Sequence, residues 1–290
     1  MAIQDTRKVR MPAVAGQFYN GNALALRREI CMCEAALPEK SGSTLPASGV
    51  ILPHAGYVFS MPTALRTLRE AVGGSFKRAV ILSPSHRVAF RGMALSEDGL
   101  LRTPFGDIIT ECELASELAA EHPELFVIRE EAHRQEHAVE VQLPLLQYYF
   151  KELPVLPIVC GEMPLPMIRQ AAEVFSGRFG ADTLWVISSD FTHYGRNFRY
   201  VPFTENIREN LYKLDGEAAE LIARRDFDGF VDFLRRTGAT ICGMFPILLY
   251  LAILQAQGTA AKGEIVEYTN CADKTKDWSH CVGYAGIAFR

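Results

Sequence analysis

The sequence predicts a three-layer α/β/α sandwich with a mostly parallel central sheet. Four short apolar runs rich in Val and Ile are typical of strands buried on both faces of a sheet. They open the segments 49–57, 79–86, 155–161 and 184–193. Segments with helical periodicity separate these runs, and strands that alternate with helices favour parallel pairing. We expect one domain over residues 1–290, because no convincing boundary interrupts the pattern.

The remaining elements follow in chain order. A loop over 12–19 precedes the first helix, and 93–110, with its Thr103-Pro104-Phe105-Gly106-Asp107 turn, is typical of a hairpin. The turn-rich stretch 38–49 is the nearest approach to a linker. Two terminal strands, 264–269 and 282–289, are expected at an edge of the sheet. Helices are predicted near 23–36, 61–72, 112–121, 139–150, 165–179, 205–223, 227–236 and 245–257.

Composition is that of an ordinary soluble globular protein, with 49% hydrophobic and 22% charged residues. Thirty basic and 34 acidic residues give a formal charge of −4, so bulk electrostatics attract neither nucleic acid nor an anionic membrane. The longest apolar run, 245–254, is too short to span a membrane, and residues 1–8 lack the apolar core of a signal peptide. We therefore expect a cytoplasmic protein. Its seven scattered cysteines, without a CxxC pair, do not indicate structural zinc.

Three of the four strands lead into a histidine within a few residues. His54 lies in Pro53-His54-Ala55-Gly56-Tyr57 and His86 in Ser83-Pro84-Ser85-His86. In open α/β sheets, ligands bind at the carboxyl ends of the strands. Either histidine alone reads as a cap for loop backbone. Together, on neighbouring strands, they favour a shared site.

Asp190 and His193 follow the fourth strand, three residues apart. If a helical turn begins here, the two side chains share a face and the carboxylate can orient the ring. The alternative is that Ser189 or Asp190 only caps a short helix.

His137 and Glu140 lie on one face of a predicted helix that starts at Glu136. They could reach a pocket and contact substrate, or equally form solvated charges at a helix start. The other three histidines have no comparable setting and are expected at the surface; they are His122, His133 and His280.

Cys242 precedes an apolar helix in Thr240-Ile241-Cys242-Gly243. A helix N-terminus lowers the pKa of a thiol and favours the thiolate, which binds metals. Two imidazoles and one thiolate would suit zinc, iron or copper. Spacing alone leaves the third ligand open.

Six motifs in this order, across nearly the whole chain, resemble the Memo family, which is named for a mediator of receptor-driven cell motility. The motifs are Pro12-Ala13-Val14-Ala15-Gly16-Gln17-Phe18-Tyr19, Pro53-His54-Ala55-Gly56-Tyr57, Pro84-Ser85-His86, Glu136-His137-Ala138-Val139-Glu140-Val141-Gln142-Leu143-Pro144, Ser188-Ser189-Asp190-Phe191-Thr192-His193-Tyr194-Gly195 and Cys242-Gly243.

This resemblance implies a fold similar to the class III extradiol (LigB-type) dioxygenases, which hold nonheme iron(II) with two histidines and a glutamate. In the Memo pattern the matching positions are His54, His86 and Cys242. His193 then matches the acid/base histidine, with Asp190 as its neighbour. The motif residues His137, Glu140 and Tyr57 are taken as candidates for substrate binding.

The resemblance further implies iron(II) or copper as cofactor, with zinc as an alternative. The leading hypothesis is a metal-dependent oxidoreductase, and a zinc hydrolase is a variant of the same site. A second hypothesis is a non-catalytic module that binds a phosphopeptide or a small anion. A third is an accessory protein for radical-SAM and AMMECR1-type partners, beside which some family members are found.

Overall fold

The computed structural model of the protein describes residues 7–40, 43 and 45–290. The first six of the eight N-terminal residues, in which no signal-peptide core is expected, lie outside the described residues. So do positions 41, 42 and 44 of the turn-rich stretch.

The described chain forms twelve strands, eleven α-helices and two short 3-10 turns, at Arg69–Ala71 and Arg196–Phe198. The strands are β1 (Val9–Arg10), β2 (Gly49–Leu52), β3 (Arg78–Pro84), β4 (Met93–Leu95), β5 (Leu100–Thr103), β6 (Gly106–Ile109), β7 (Phe126–Ile128), β8 (Val155–Cys160), β9 (Thr183–Ser188), β10 (His193–Gly195), β11 (Gly263–Asn270) and β12 (His280–Phe289). The helices are α1 (Ala23–Ala36), α2 (Tyr57–Leu68), α3 (Cys112–Glu121), α4 (Glu130–Arg134), α5 (His137–Glu140), α6 (Leu143–Phe150), α7 (Leu165–Arg178), α8 (Ile207–Ala223), α9 (Phe227–Thr237), α10 (Met244–Ala256) and α11 (Cys271–Thr275).

The centre of the large sheet consists of four parallel strands in the order β2-β9-β3-β8. These are the four apolar runs of the sequence. Leu52 pairs with Ser188 and Pro84 with Cys160, so the strands end at one common edge. On one side β4 and β7 extend the sheet, and on the other antiparallel β12 carries β10 and β11. The predicted α/β sandwich, with its terminal strands at an edge, is confirmed.

Helices cover both faces of the sheet, which explains why its central strands are apolar throughout. Alternate residues of β2 point into two different cores: Ile51 packs with α7 and α10, whereas Val50 and Leu52 pack with α1 and α2. Helix α10 is apolar on all sides, and it is accordingly buried along most of its length. None of the helices in the described ranges combines the length and apolar character needed to cross a lipid bilayer.

Two local predictions are wrong. The helix expected over 139–150 is divided into α5 and α6. Pro144 lacks an N–H, and its ring would clash with the carbonyl of Glu140, where α5 ends. The stretch from Asp190 to His193 forms no helical turn, because β10 begins at His193. This excludes both the shared helical face and the helix cap.

His133 is buried, not at the surface as expected. Its Nε2 donates to the carbonyl of Ala94 on β4 at 3.0 Å. Burial lowers the pKa of His133 to about 4, so the ring is neutral at neutral pH. His122 is partly exposed and His280 exposed, as expected.

Candidate metal centre

His54 follows β2 at the carboxyl edge of the sheet, and Ser188 at the end of β9 fixes its tautomer. The Ser188 hydroxyl donates its single hydrogen to the carbonyl of Ala138 at 2.7 Å. The same oxygen accepts from Gln142 Nε2 at 3.0 Å and lies 2.8 Å from His54 Nδ1. Because the hydroxyl hydrogen is already used, His54 Nδ1 must donate, and its Nε2 keeps a lone pair.

His86 is held through its Nδ1 by a buried carboxylate. Glu136 accepts from His86 Nδ1 at 2.8 Å, from the backbone N–H of His86 at 2.7 Å and from that of Ala138 at 2.9 Å. Burial alone would raise the pKa of Glu136, but these hydrogen bonds lower it to about 2. An ionised carboxylate can only accept, so Nδ1 of His86 carries a hydrogen, and Nε2 is the ring nitrogen left to bind an ion. Such a carboxylate behind an imidazole is the usual second layer of a metal site.

His137, the first residue of α5, completes a group of three histidines. One ring nitrogen from each of His54, His86 and His137 lies within 4.8 Å of the other two. The rings of His86 and His137 stack with centroids 4.6 Å apart. Nδ1 of His137 is buried and makes no hydrogen bond within the described structure; it lies 3.4 Å from a Glu136 oxygen, outside hydrogen-bonding geometry.

The electrostatics of this group favour neutral rings for His54 and His137. Burial lowers the pKa of His54 well below its usual range, and positive charge on His86 lowers it further. Burial, together with charge on His54 and His86, lowers the pKa of His137 to about 4. At neutral pH both rings are therefore in the form that binds metal ions. Protonation of these rings is therefore unfavourable. A metal cation that binds their lone pairs is the species that this group favours.

Cys242 lies next to His54, with Sγ 3.2 Å from His54 Nε2. Sγ also accepts a hydrogen bond from the backbone N–H of Asp190 at 3.2 Å. Burial and the nearby Asp190 carboxylate raise the pKa of this thiol well above its usual range. The predicted thiolate at a helix N-terminus is therefore wrong for the protein without an ion, because desolvation outweighs the effect of α10. Direct coordination to a cation deprotonates such a thiol.

Asp190 and His193 are held separately. Asp190 Oδ1 accepts from the backbone N–H of His54 at 2.7 Å, and Oδ2 lies 4.0 Å from His54 Nε2. His193 is oriented by Thr240, because its Nδ1 donates to the Thr240 carbonyl at 3.0 Å. Its backbone N–H donates to the Thr240 hydroxyl, also at 3.0 Å. Nε2 is therefore the ring nitrogen of His193 that is left free, on a partly exposed ring.

The structure engages the polar atoms of the two other predicted substrate-binding residues in hydrogen bonds to distant parts of the chain. The buried Tyr57 hydroxyl donates to the carbonyl of Val141 at 2.7 Å. Its ring borders a surface pocket of about 500 Å³ between the 16–21 loop and α2. Glu140 is fully buried and accepts hydrogen bonds from the N-terminal segment, so it is no solvated helix-start charge.

Sequence reasoning missed the side chains that orient the rings, namely Ser188, Glu136 and Thr240. It also grouped His137 with substrate, although its nitrogen lies among those of His54 and His86. The one available signal was local: Glu136 directly precedes His137 in the chain.

Comparison with known proteins gives a consistent result over nearly the full length. The profile of the Memo-like protein family matches residues 10–288. A MEMO1 family protein of Methanopyrus kandleri is 33% identical over 97% of this chain and 99% of its own length. A MEMO1 family protein of Thermoplasma volcanium is 32% identical over 96% of this chain and 97% of its own length. The memo-1 homolog of Caenorhabditis elegans is 32% identical over 83% of this chain and 70% of its own.

Proposed function

The chain belongs to the Memo family, and from this premise we propose that it is a metal-dependent oxidoreductase. The ion would be held by His54, His86 and His137, with the Cys242 thiol as a further donor. The observation that carries the proposal is the convergence of three ring nitrogens within 4.8 Å at the carboxyl edge of the sheet.

The donor set fits such an ion. Nδ1 of His54 and Nδ1 of His86 are each used in a hydrogen bond, which leaves Nε2 of both rings to bind the ion. The buried Nδ1 of His137 has no hydrogen-bond partner in the described chain. Buried polar atoms are normally paired, so an orphan nitrogen in this group supports a missing ligand. Imidazole suits iron, copper and zinc, and a thiol donor shifts the preference towards copper and zinc. Iron or copper would serve the proposed redox function.

When bound, iron or copper would supply one-electron chemistry and open coordination positions for dioxygen or substrate. The protein would supply access and proton transfer. The side chain of His86 is 28% exposed, so substrate can approach from that side, whereas His54 closes the site from within. His193 would take a proton from substrate at Nε2, because Thr240 occupies its Nδ1.

The test is the metal content of protein purified anaerobically without chelators or a histidine tag. We expect nearly one iron or copper per chain in the wild type, and loss of that metal in His54→Ala. The matched control is His122→Ala, a partly exposed histidine outside the group, which should keep its metal. Oxygen uptake with candidate substrates would then test turnover.

Other outcomes would redirect the proposal. Zinc alone, without oxygen consumption, would favour hydrolysis by zinc-activated water. Wild type and His54→Ala that are equally folded and equally free of metal would contradict the metal site. That result would favour a module that binds a phosphopeptide or a small anion.

A further inference from the structure

We infer that Arg10 and Glu140 are positioning residues for the metal centre: they fix the one-turn helix and loop that carry Glu136 and His137. This inference rests on the proposed function, because it assigns what holds two parts of that site in place. Neither Arg10 nor Glu140 belongs to the histidine group itself.

Glu140 is the anchor of the N-terminal segment. Its carboxylate is fully buried and accepts four hydrogen bonds. Arg10 Nη2 donates at 3.1 Å, the backbone N–H groups of Ala13 and Val14 at 2.7 and 2.9 Å, and the Tyr19 hydroxyl at 2.7 Å. Residues 10–19 therefore wrap around a single side chain of α5.

Arg10 extends this anchor to the other end of the loop. Its Nε donates to the carbonyl of His133 at 2.8 Å, and its Nη2 donates to the carbonyl of Glu136 at 2.7 Å. The guanidinium is buried and thus holds the end of α4, the residue before α5 and the Glu140 carboxylate at once. The path from Arg10 to the site is short, because Glu136 is also the side chain that binds His86.

The same segment covers the ring of His137. Phe18 packs against it with ring centroids 4.8 Å apart. Helix α5 has only four residues, and an isolated turn of this length has no stability of its own. Its position must come from tertiary contacts, and those with residues 10–19 include a buried ion pair. Removing one partner of such a pair leaves an uncompensated buried charge.

The experiment compares two buried glutamates that each pair with an arginine. Glu140→Gln disturbs the anchor of α5. Glu70→Gln removes the negative charge from the 2.6 Å contact to Arg290 at the opposite edge of the sheet. Using Co²⁺ as the probe, we expect Glu140→Gln to weaken binding by about tenfold or more, as for other outer-layer residues of metal sites. Glu70→Gln should lose thermal stability but bind Co²⁺ like the wild type.

Two further measurements separate positioning from general destabilisation. Tyr19→Phe removes one of the four hydrogen bonds to Glu140 and should weaken Co²⁺ binding in the same direction, but less. Without metal, the imidazole nitrogen NMR signals of His86 and His137 should shift in Glu140→Gln and not in Glu70→Gln. If Glu140→Gln does not fold, Tyr19→Phe carries both readouts.

The outcomes are distinguishable. Wild-type Co²⁺ affinity and unchanged imidazole signals in the Glu140 and Tyr19 variants would overturn the inference. Equal loss of affinity in Glu70→Gln would overturn it too, because the effect would then be global. A wild type that binds no metal, with imidazole signals that still respond to Glu140→Gln, would reject the proposed function and leave the positioning role standing.

Discussion

Strand β9 has a buried hydroxyl at each end, and the two are partnered very differently. Thr183, its first residue, has a hydroxyl with no hydrogen-bond partner among the described residues. Ser188, its last, has a hydroxyl with three contacts, to Ala138, Gln142 and His54. Both side chains belong to one strand and are equally buried. Within β9, the hydrogen-bonded hydroxyl is therefore the one at the carboxyl end, beside His54.

The two edges also differ in which charges meet. At the amino edge, opposite charges pair: Arg78 with Glu111 at 2.8 Å and Arg290 with Glu70 at 2.6 Å. At the carboxyl edge, three imidazoles face one another, and protonation of one opposes protonation of the next. An amino-edge pair is complete in itself, whereas the histidine group gains most from a bound cation.

The largest expected effect is that of Glu136→Gln. The amide cannot replace an ionised acceptor of three hydrogen bonds, so the orientation of His86 should be lost. We expect about 100-fold weaker metal binding and about 3 kcal/mol lower stability, measured by Zn²⁺ competition and urea unfolding. Glu111→Gln at the amino edge is the control and should change stability only. Equal metal affinity in the two variants would contradict the contrast between the edges.

The next largest effect is expected on stability in acid. It distinguishes a histidine that is only buried from one that also belongs to the histidine group. His133 is buried like His54 but lies outside the histidine group, and its pKa is about 4 when folded against about 6.5 when unfolded. Between these values the unfolded chain binds the extra proton. The stability that His133 contributes is therefore present above pH 6.5 and lost as pH falls to 4. The total is about 3 kcal/mol.

Urea titrations from pH 7 to 4 check this prediction. His133→Gln, which can still donate to the Ala94 carbonyl, should flatten the pH dependence by about 1.4 kcal/mol per unit without changing metal affinity at pH 7. An unaltered slope would show that His133 is not the group that titrates.

Ser188→Ala should give a smaller effect at the site. It leaves His54 Nδ1, Gln142 Nε2 and the Ala138 carbonyl without their shared partner. We expect about tenfold weaker Zn²⁺ binding and about 1–2 kcal/mol lower stability. Rescue of metal affinity by Ser188→Thr, which restores a hydroxyl, would support the hydrogen bond as the cause. Wild-type affinity in the alanine variant would remove Ser188 from the account.

The smallest effect is expected at the other end of the same strand. Thr183→Val removes a buried hydroxyl without a hydrogen-bond partner in the described chain and keeps the shape of the side chain. We expect stability to stay the same or to rise by about 1 kcal/mol, with unchanged Zn²⁺ affinity. Thermal unfolding beside Ser188→Ala makes the comparison direct. A loss above 1 kcal/mol would mean that Thr183 has an unrecognised partner.

The sheet and its functional edge could be predicted because they depend on local patterns. The four apolar runs predicted the positions of β2, β3, β8 and β9. The segments that directly follow β2 and β3 contain His54 and His86. Their partners could not be predicted. Ser188 meets His54 only because β9 lies next to β2, and Glu136 meets His86 across fifty residues of chain. Strand order and loop packing determine these contacts, and neither can be deduced from the spacing of residues along the chain.

Two of the failed predictions have the same origin. The segment Asp190–His193 pairs with β12 instead of forming a helical turn. The backbone N–H of Phe191 donates to the carbonyl of Gly283, and the backbone N–H of Gly283 donates to the carbonyl of Thr192. Burial beside Asp190 raises the pKa of the Cys242 thiol and so disfavours the predicted thiolate. In both cases tertiary contacts outweigh a local preference.

The most direct test of the central claim is anomalous diffraction from crystals of the wild-type protein grown with Co²⁺. We predict one strong peak at the carboxyl edge of the sheet, bound by His54, His86 and His137 and beside Cys242. A peak elsewhere, or none at this edge while Co²⁺ is bound in solution, would contradict the proposed metal centre.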